Sequence, residues 1–183
     1  DNSATTRVCE RAVKAANLYM TREFFNPSSA YSPAVAAERA VNGARARLAA
    51  ALSVAPEEII FTSGGTESNN MAISGWLSGQ HDRRRLIISG AEHPSVLESA
   101  NAQAGYAPEM VPVTAVGSVD MAALEGMLGE DTGLVSIMHV NNEVGAVNDI
   151  TAVYRMLKRR APHAVLHSDG VQAFLKLDAA SCD

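Results

Sequence analysis

The sequence predicts an α/β domain with a mostly parallel sheet flanked by helices, and three observations carry that prediction. Short β-prone runs alternate with segments of helical periodicity along most of the chain. A parallel pair requires a crossover, and helices in the crossovers then cover both faces of the sheet. At 183 residues, 47% of them hydrophobic, the chain is also long enough to bury a sizeable core as one domain.

The first clear helix is expected after Ser32-Pro33, where serine can cap and proline suits the first turn. Val41, Ala44, Leu48 and Leu52 recur at helical spacing, and the pattern ends near Val54, before Pro56. Ile59-Ile60-Phe61-Thr62 reads as a first strand, broken by Gly64-Gly65, with a helix from Thr66 to Leu77. The same order repeats from Leu86-Ile87-Ile88-Ser89 into a helix starting near Pro94. It repeats again from Leu134–Val140 into a helix carrying Val153, Tyr154 and Leu157, and Ala164–Ser168 is a last strand. Met110-Val111-Pro112-Val113 is a further strand candidate whose proline points to a sheet edge. Asp120 is placed to cap a short helix running through Leu128. No repeat and no linker divides the chain.

Composition narrows the function. Charged residues make up 19% and the formal net charge is −5, so the broad basic field used for nucleic acid or anionic membrane is missing. No apolar run reaches the roughly 20 residues of a membrane span, and no basic-then-apolar leader is present. Two cysteines, Cys9 and Cys182, fall far short of a disulfide framework, so a reducing, cytoplasmic setting is expected.

In open parallel sheets, ligands bind beyond the carboxyl ends of the strands. The residues there are Ser63-Gly64-Gly65-Thr66-Glu67-Ser68, Glu92-His93, Asn141-Asn142, and Asp169 with Gln172. Glycines at Gly64 and Gly65 let backbone approach an anion, the free N–H groups opening the Thr66 helix favour phosphate, and the Thr66 hydroxyl can add a bond. The His93 imidazole can stack on a flat ring. The Asp169 carboxylate can pair with a protonated ring nitrogen and keep that ring electron-poor. Asn142 and Gln172 offer amides to a ring hydroxyl or a substrate carboxylate. Phosphate, flat ring and cationic nitrogen together describe pyridoxal phosphate. A tight turn with a capped helix, and a satisfied strand-end carboxylate, are the plainer readings of the Gly64-Gly65 turn and of Asp169 taken singly. A dinucleotide site fits less well, because the turn lacks Gly-x-Gly-x-x-Gly spacing and a suitable acidic partner.

Six segments carry a family resemblance: Asp1-Asn2-Ser3-Ala4-Thr5-Thr6, Asn26-Pro27-Ser28-Ser29, Phe61–Asn69, Glu92-His93, His139-Val140-Asn141-Asn142-Glu143 and Asp169-Gly170-Val171-Gln172. In this order they resemble the successive motifs of the cysteine desulfurases, NifS/IscS-like enzymes of the class V aminotransferase group. The resemblance implies a fold-type I pyridoxal phosphate enzyme, usually a homodimer, that converts L-cysteine to L-alanine. Sulfur passes through an enzyme persulfide to an acceptor or scaffold protein, as in iron–sulfur cluster assembly. By the same resemblance Gly65 and Thr66 match the phosphate turn and His93 the stacking imidazole, with a possible acid–base role. Asn142 and Gln172 match amides near the cofactor, and Asp169 matches the ring-nitrogen partner. Residues 1–10 correspond to a loosely packed N-terminal arm, and 11–183 to part of the cofactor-binding large domain.

Departures from the family pattern matter as well. The segment that supplies the Schiff-base lysine follows the Asp169 strand in the family, and this sequence stops before it. The small domain with the persulfide cysteine and the carboxylate-binding arginine is also missing, so the chain reads as a fragment. Phe25 and Tyr31 replace a glycine and a histidine that commonly flank the Asn-Pro-Ser-Ser motif. Lys176 aligns with a structural lysine directed away from the ring. Cys9 and Cys182 align with no persulfide loop and read as ordinary thiols. His163 and His167 do not form a helical metal pair, because Pro162 precedes them and an apolar strand lies between them, and no metal is expected. His139 reads as a strand-end hydrogen-bonding residue and His81 as a surface one. Arg83-Arg84-Arg85 and Lys158-Arg159-Arg160 read as solvated charge, the second suited to a helix carboxyl end. A selenocysteine lyase or another class V enzyme is the alternative activity, and a noncatalytic cofactor-binding or dimerising module the alternative class. The 183-residue chain is expected to hold pyridoxal phosphate weakly and to be inert. Adding the cofactor followed by borohydride should leave Lys176 without added mass, and a pyridoxyl adduct there would contradict the assignment.

Overall fold

The structure, a computed structural model, describes residues 2–79, 85–102 and 105–177. The chain forms two compact units, residues 1–61 and 62–183.

The first unit holds helix α1 (Glu10–Thr21), helix α2 (Ser32–Leu52) and a 3-10 turn at Pro56–Glu58. Helix α1 escaped the sequence reading for a physical reason. Its N-cap is Cys9, which makes no side-chain cap bond, so no capping residue marks its start, and its apolar stripe is not buried, since none of its residues is. Helix α2 begins one residue earlier than a Ser32 cap would require. Tyr31 is the N-cap and makes no capping bond, while Pro33 occupies the first turn as expected. The helix ends at Ser53, which turns left-handed at φ 57° and donates its N–H to carbonyls of the last turn. Phe25 packs edge-on against Tyr31 at 6.1 Å.

Ile59–Thr62, expected as the first strand, joins no sheet among the described residues. The run is β-prone, but a strand exists only through its ladder, and here Arg45 of α2 takes the Ile59 carbonyl instead. The same guanidinium lies 4.9 Å from the centre of the Phe61 ring.

The second unit follows the sequence in element order, although the strand expected at Leu134–Val140 runs instead from Thr132 to Ser136. Helix α3 (Gly65–Ser78) leads to strand β1 (Arg85–Ser89), helix α4 (Pro94–Asn101) and strand β2 (Pro108–Val111). Helix α5 (Met121–Met127), strand β3 (Thr132–Ser136), helix α6 (Ile150–Arg160) and strand β4 (Val165–His167) complete it. The four strands pair in parallel, in the order β2-β1-β3-β4, and two isolated bridges outside them, Val113 with Val119 and Val140 with Val147, are antiparallel. β2 is an edge strand, the position expected for a run with proline, and Pro112 falls just beyond it. Asp120 caps α5 as expected, accepting the N–H groups of Ala122 and Ala123 at 3.0 Å.

Alternation along the central strands sorts the core into two layers. Leu86, Ile88 and Leu134 point to one face and pack with Ile73 and Leu77 of α3 and Val96 and Ala100 of α4. Ile87 and Val135 point to the other and pack with Leu124 of α5 and Val153, Met156 and Leu157 of α6. Both layers are dry, since Leu86, Ile87, Ile88 and Val135 are fully buried.

One charged run departs from expectation. Arg85 is not solvated charge: its guanidinium binds Glu109 of β2 through two 2.7 Å bonds and lies 3.8 Å from Asp131. That pairing raises the Arg85 pKa and lowers that of Glu109. Arg83 and Arg84 lie outside the described residues. At the end of α6, Arg160 pairs with Glu125 at 3.0 Å and Lys158 sits 5.1 Å from the Tyr154 ring centre.

Replacing Ile87 by Ala should cost about 2–5 kcal/mol, because the cavity opens against the α5–α6 layer. Asp120→Ala should cost about 1 kcal/mol through the lost cap. Urea unfolding midpoints measure both, and equal losses would contradict the layer assignment.

Candidate active site

Strand order places the site. From β1 the chain crosses to β2 on one side, then returns past β1 to β3 and continues outward to β4, so the order reverses between β1 and β3. The carboxyl ends of those two strands open a crevice where connections leave in opposite directions. The loop after β1 carries Glu92 and His93, and the loop after β3 carries Asn141 and Asn142. Asp169 follows β4, the next strand over.

Hydrogen bonds tie these loops together. The N–H of His139 donates to the Asp169 carbonyl at 2.9 Å, and Asn141 Nδ2 donates to the Ala91 carbonyl at 2.9 Å. Asn141 Oδ1 accepts the N–H groups of Glu143 and Val144, which closes its own turn. Asn142 beside it is half-buried.

A second set of bonds joins His93 to Asp169 through Ser95, which the sequence did not mark, and Asn69, which closes the Phe61–Asn69 motif but carried no assigned role. Asn69 of α3 donates from Nδ2 to Asp169 Oδ2 and to Ser95 Oγ, both at 2.9 Å. Ser95 Oγ lies 2.7 Å from His93 Nδ1. The other Asp169 oxygen accepts the Val171 N–H at 3.0 Å. Asn69, Ser95 and Asp169 are buried, while His93 is exposed. The available signal was a polar residue, Asn69, on the same helix face as the core residue Ile73, one turn along.

The amino end of α3 lies against the turn after Asp169. A Cβ built on Gly65 would come within 3.3 Å of Val171 Cγ2, so glycine permits this close approach. No side chain caps this helix: Gly64 is its N-cap, Gly65 is half-buried and Thr66 is exposed. Glu67, which could repel an anion there, turns back to Ser63 and accepts its N–H and hydroxyl at 2.6 Å. The hydroxyl bond first, then the backbone bond, lowers the Glu67 pKa.

Glu92 is the least expected member. It is 7% exposed, one carboxylate oxygen accepts the Met138 N–H, and the other is buried with no partner. Burial raises its pKa to about 7 against that hydrogen bond, and the charge of Asp169 adds to the rise. His167 of β4 binds Ser136 at 2.8 Å through Nδ1, and burial lowers its pKa, opposed by Asp169.

Gln172 receives a 3.0 Å bond from Lys176 Nζ, so that amine is engaged on its own turn. Cys9 is an exposed free thiol, and Cys182 and His81 lie outside the described residues. Among the described residues no His, Cys, Asp and Glu cluster could hold a metal, and no helix is long and apolar enough to cross a membrane.

A parallel sheet whose strand order reverses beside a histidine, a buried aspartate and an uncapped helix defines the class. The chain belongs to the aminotransferase class-V family, which it matches over residues 1–181. Among its relatives is cysteine desulfurase IscS 1 of Archaeoglobus fulgidus, 34% identical over 181 residues, covering 97% of this chain and 47% of the relative. A cysteine desulfurase of Trichormus azollae is 38% identical over 179 residues, covering 97% and 44%. Among solved structures, a NifS-like protein superposes with a TM-score of 0.90 at 37% identity, over 94% of this chain and 48% of the other. The chain thus spans about half the length of the relatives it matches.

Glu92 makes stability depend on pH. Its folded pKa, about 7, lies above the ordinary 4.5, so the native state keeps a proton that the unfolded chain releases. The contribution is complete below about pH 4.5 and is lost as pH rises through about 7. Urea midpoints should therefore fall more between pH 5 and 8 for the wild type than for Glu92→Gln, which cannot ionise. Parallel falls would contradict a raised Glu92 pKa.

Proposed function

We propose that the whole protein is a pyridoxal phosphate-dependent cysteine desulfurase, converting L-cysteine to L-alanine and passing sulfur to an acceptor through an enzyme persulfide. The observation that carries this reading is the bonded set of His93, Ser95, Asn69 and Asp169 at the strand-order reversal. The named cysteine desulfurases among its relatives support the substrate.

The residues present fit the cofactor. The uncapped amino end of α3 offers free N–H groups and a favourable dipole to a phosphate, with the Thr66 hydroxyl beside them. The Gly65 approach to Val171 brings that anion site next to the Asp169 turn. Asp169 accepts two bonds and, as a carboxylate with about four acceptor positions, has capacity for a ring N–H. When bound, the cofactor supplies an electron sink for charge developing on the substrate carbon.

The chain's own residues then have distinct tasks. Gly65 and Thr66 hold the phosphate. Asp169 keeps a proton on the ring nitrogen, and its burial strengthens that pairing. His93 would hold a face of the ring by stacking and would offer Nε2 for proton exchange with the substrate. Asn142 and Gln172 serve as amides at the ring hydroxyl or the substrate carboxylate. The reading includes a cytoplasmic homodimer with a sulfur-accepting or scaffold partner, and it treats residues 1–10 as an arm and 11–183 as part of the large domain.

The full-length protein supplied with cofactor should release alanine and sulfide from L-cysteine in the presence of a reductant. His93→Ala should lower kcat by about 100-fold or more. Release of neither product would refute the desulfurase, and alanine from L-selenocysteine alone would identify a selenocysteine lyase.

A further inference from the structure

A histidine that exchanges a proton must present the correct ring nitrogen, and the ring alone does not select it. Two neutral tautomers are available to any imidazole, and the partner of one nitrogen decides which is populated. We propose that Asn69 and Ser95 are positioning residues that hold His93 in the tautomer with Nδ1 unprotonated and Nε2 protonated. The inference rests on the desulfurase reading for its purpose, but its geometry stands within this chain.

The direction of each bond follows from the donors available. Asn69 Nδ2 has two hydrogens, and both are placed, one on Asp169 Oδ2 and one on Ser95 Oγ. Rotating the amide would set Asn69 Oδ1 against a carboxylate oxygen, which fixes its orientation. Ser95 Oγ, accepting from Asn69, keeps its own hydrogen for His93 Nδ1 at 2.7 Å. The Ser95 backbone N–H donates to the same nitrogen at 3.1 Å. Two donors converge on Nδ1 and leave no room for a proton there, so the neutral ring carries its hydrogen on Nε2.

Burial makes the arrangement costly to rearrange. Asn69, Ser95 and Asp169 are 5%, 8% and 9% exposed, so a broken bond leaves a polar group without water to replace it. The Ser95 N–H bond alone would serve as an ordinary cap for α4. The hydroxyl and the amide go beyond capping, because they extend from His93 to a carboxylate on a different strand end. The two groups assigned to one ring system, Asp169 at its nitrogen and His93 at a face, are thereby oriented by a common pair of side chains.

The test reads the histidine itself. Full-length protein with 15N-labelled histidine should show His93 as a single neutral tautomer, Nδ1 unprotonated, without cofactor. Ser95→Ala and Asn69→Ala should each convert that pattern to a mixture, and Ser95→Thr, which keeps the hydroxyl, should restore it. If Asn69→Ala does not fold, the Ser95→Ala and Ser95→Thr pair decides. A wild-type His93 protonated at Nδ1, or an unchanged pattern in Ser95→Ala, would overturn the proposal. Alanine release is measured separately, so loss of the desulfurase reading leaves the tautomer result standing, and the reverse holds equally.

Discussion

The pairing of β1 with β3 is the constraint on which the rest of the second unit depends. Leu86 sits opposite Leu134, and Ile87 opposite Val135, so each core layer receives a matched pair of apolar side chains from adjacent strands. This pairing also puts residues far apart in sequence on either side of one crevice. If β3 slipped by one residue, Leu134 and Val135 would exchange faces and both layers would lose their packing. The register that buries the core therefore also sets the loop carrying His93 beside the loop carrying Asn141 and Asn142.

Polar groups at the crevice survive burial because each is engaged. Asn148 joins the two sides of the loop after β3 by giving Nδ2 to the Met138 carbonyl, and ties that loop to the segment before α5 by accepting the Val119 N–H. Asn69 does the same between α3, α4 and the Asp169 turn. Two groups depart from this: Ser168 Oγ, beside Asp169, and one Glu92 carboxylate oxygen are buried without a partner, and for Glu92 the raised pKa is the physical response, since a proton on that oxygen removes the charge that burial disfavours. The two carboxyl groups are accommodated differently: Glu67 is turned back on Ser63, whereas burial raises the Glu92 pKa to about 7.

Much of the fold was legible in the sequence. Strands β1, β3 and β4 announce themselves as short apolar runs, and α6 through Val153, Tyr154 and Leu157 and its closing basic residues; the structure buries Val153 and Leu157 and adds Met156 to the core. The turn, histidine, asparagine and aspartate motifs could be placed at strand ends because ligand sites in such sheets follow topology. Two elements misled for opposite reasons. Helix α1 is preceded by no capping residue and buries none of its side chains, whereas Ile59–Thr62 has every local mark of a strand but no ladder among the described residues.

What the sequence determined by itself was the alternation of elements, the parallel character of the sheet and the residue types at the strand ends. These follow from local periodicity and turn chemistry, which act over a few residues. Only the tertiary structure decided that Arg85 is paired, that Glu92 is buried with an unpartnered oxygen, and that Asn69 and Ser95 connect His93 to Asp169. Asn69 and Asp169 are a hundred residues apart, and their hydrogen bond exists only because β1, β3 and β4 lie side by side. No local pattern encodes a contact that depends on which strands become neighbours.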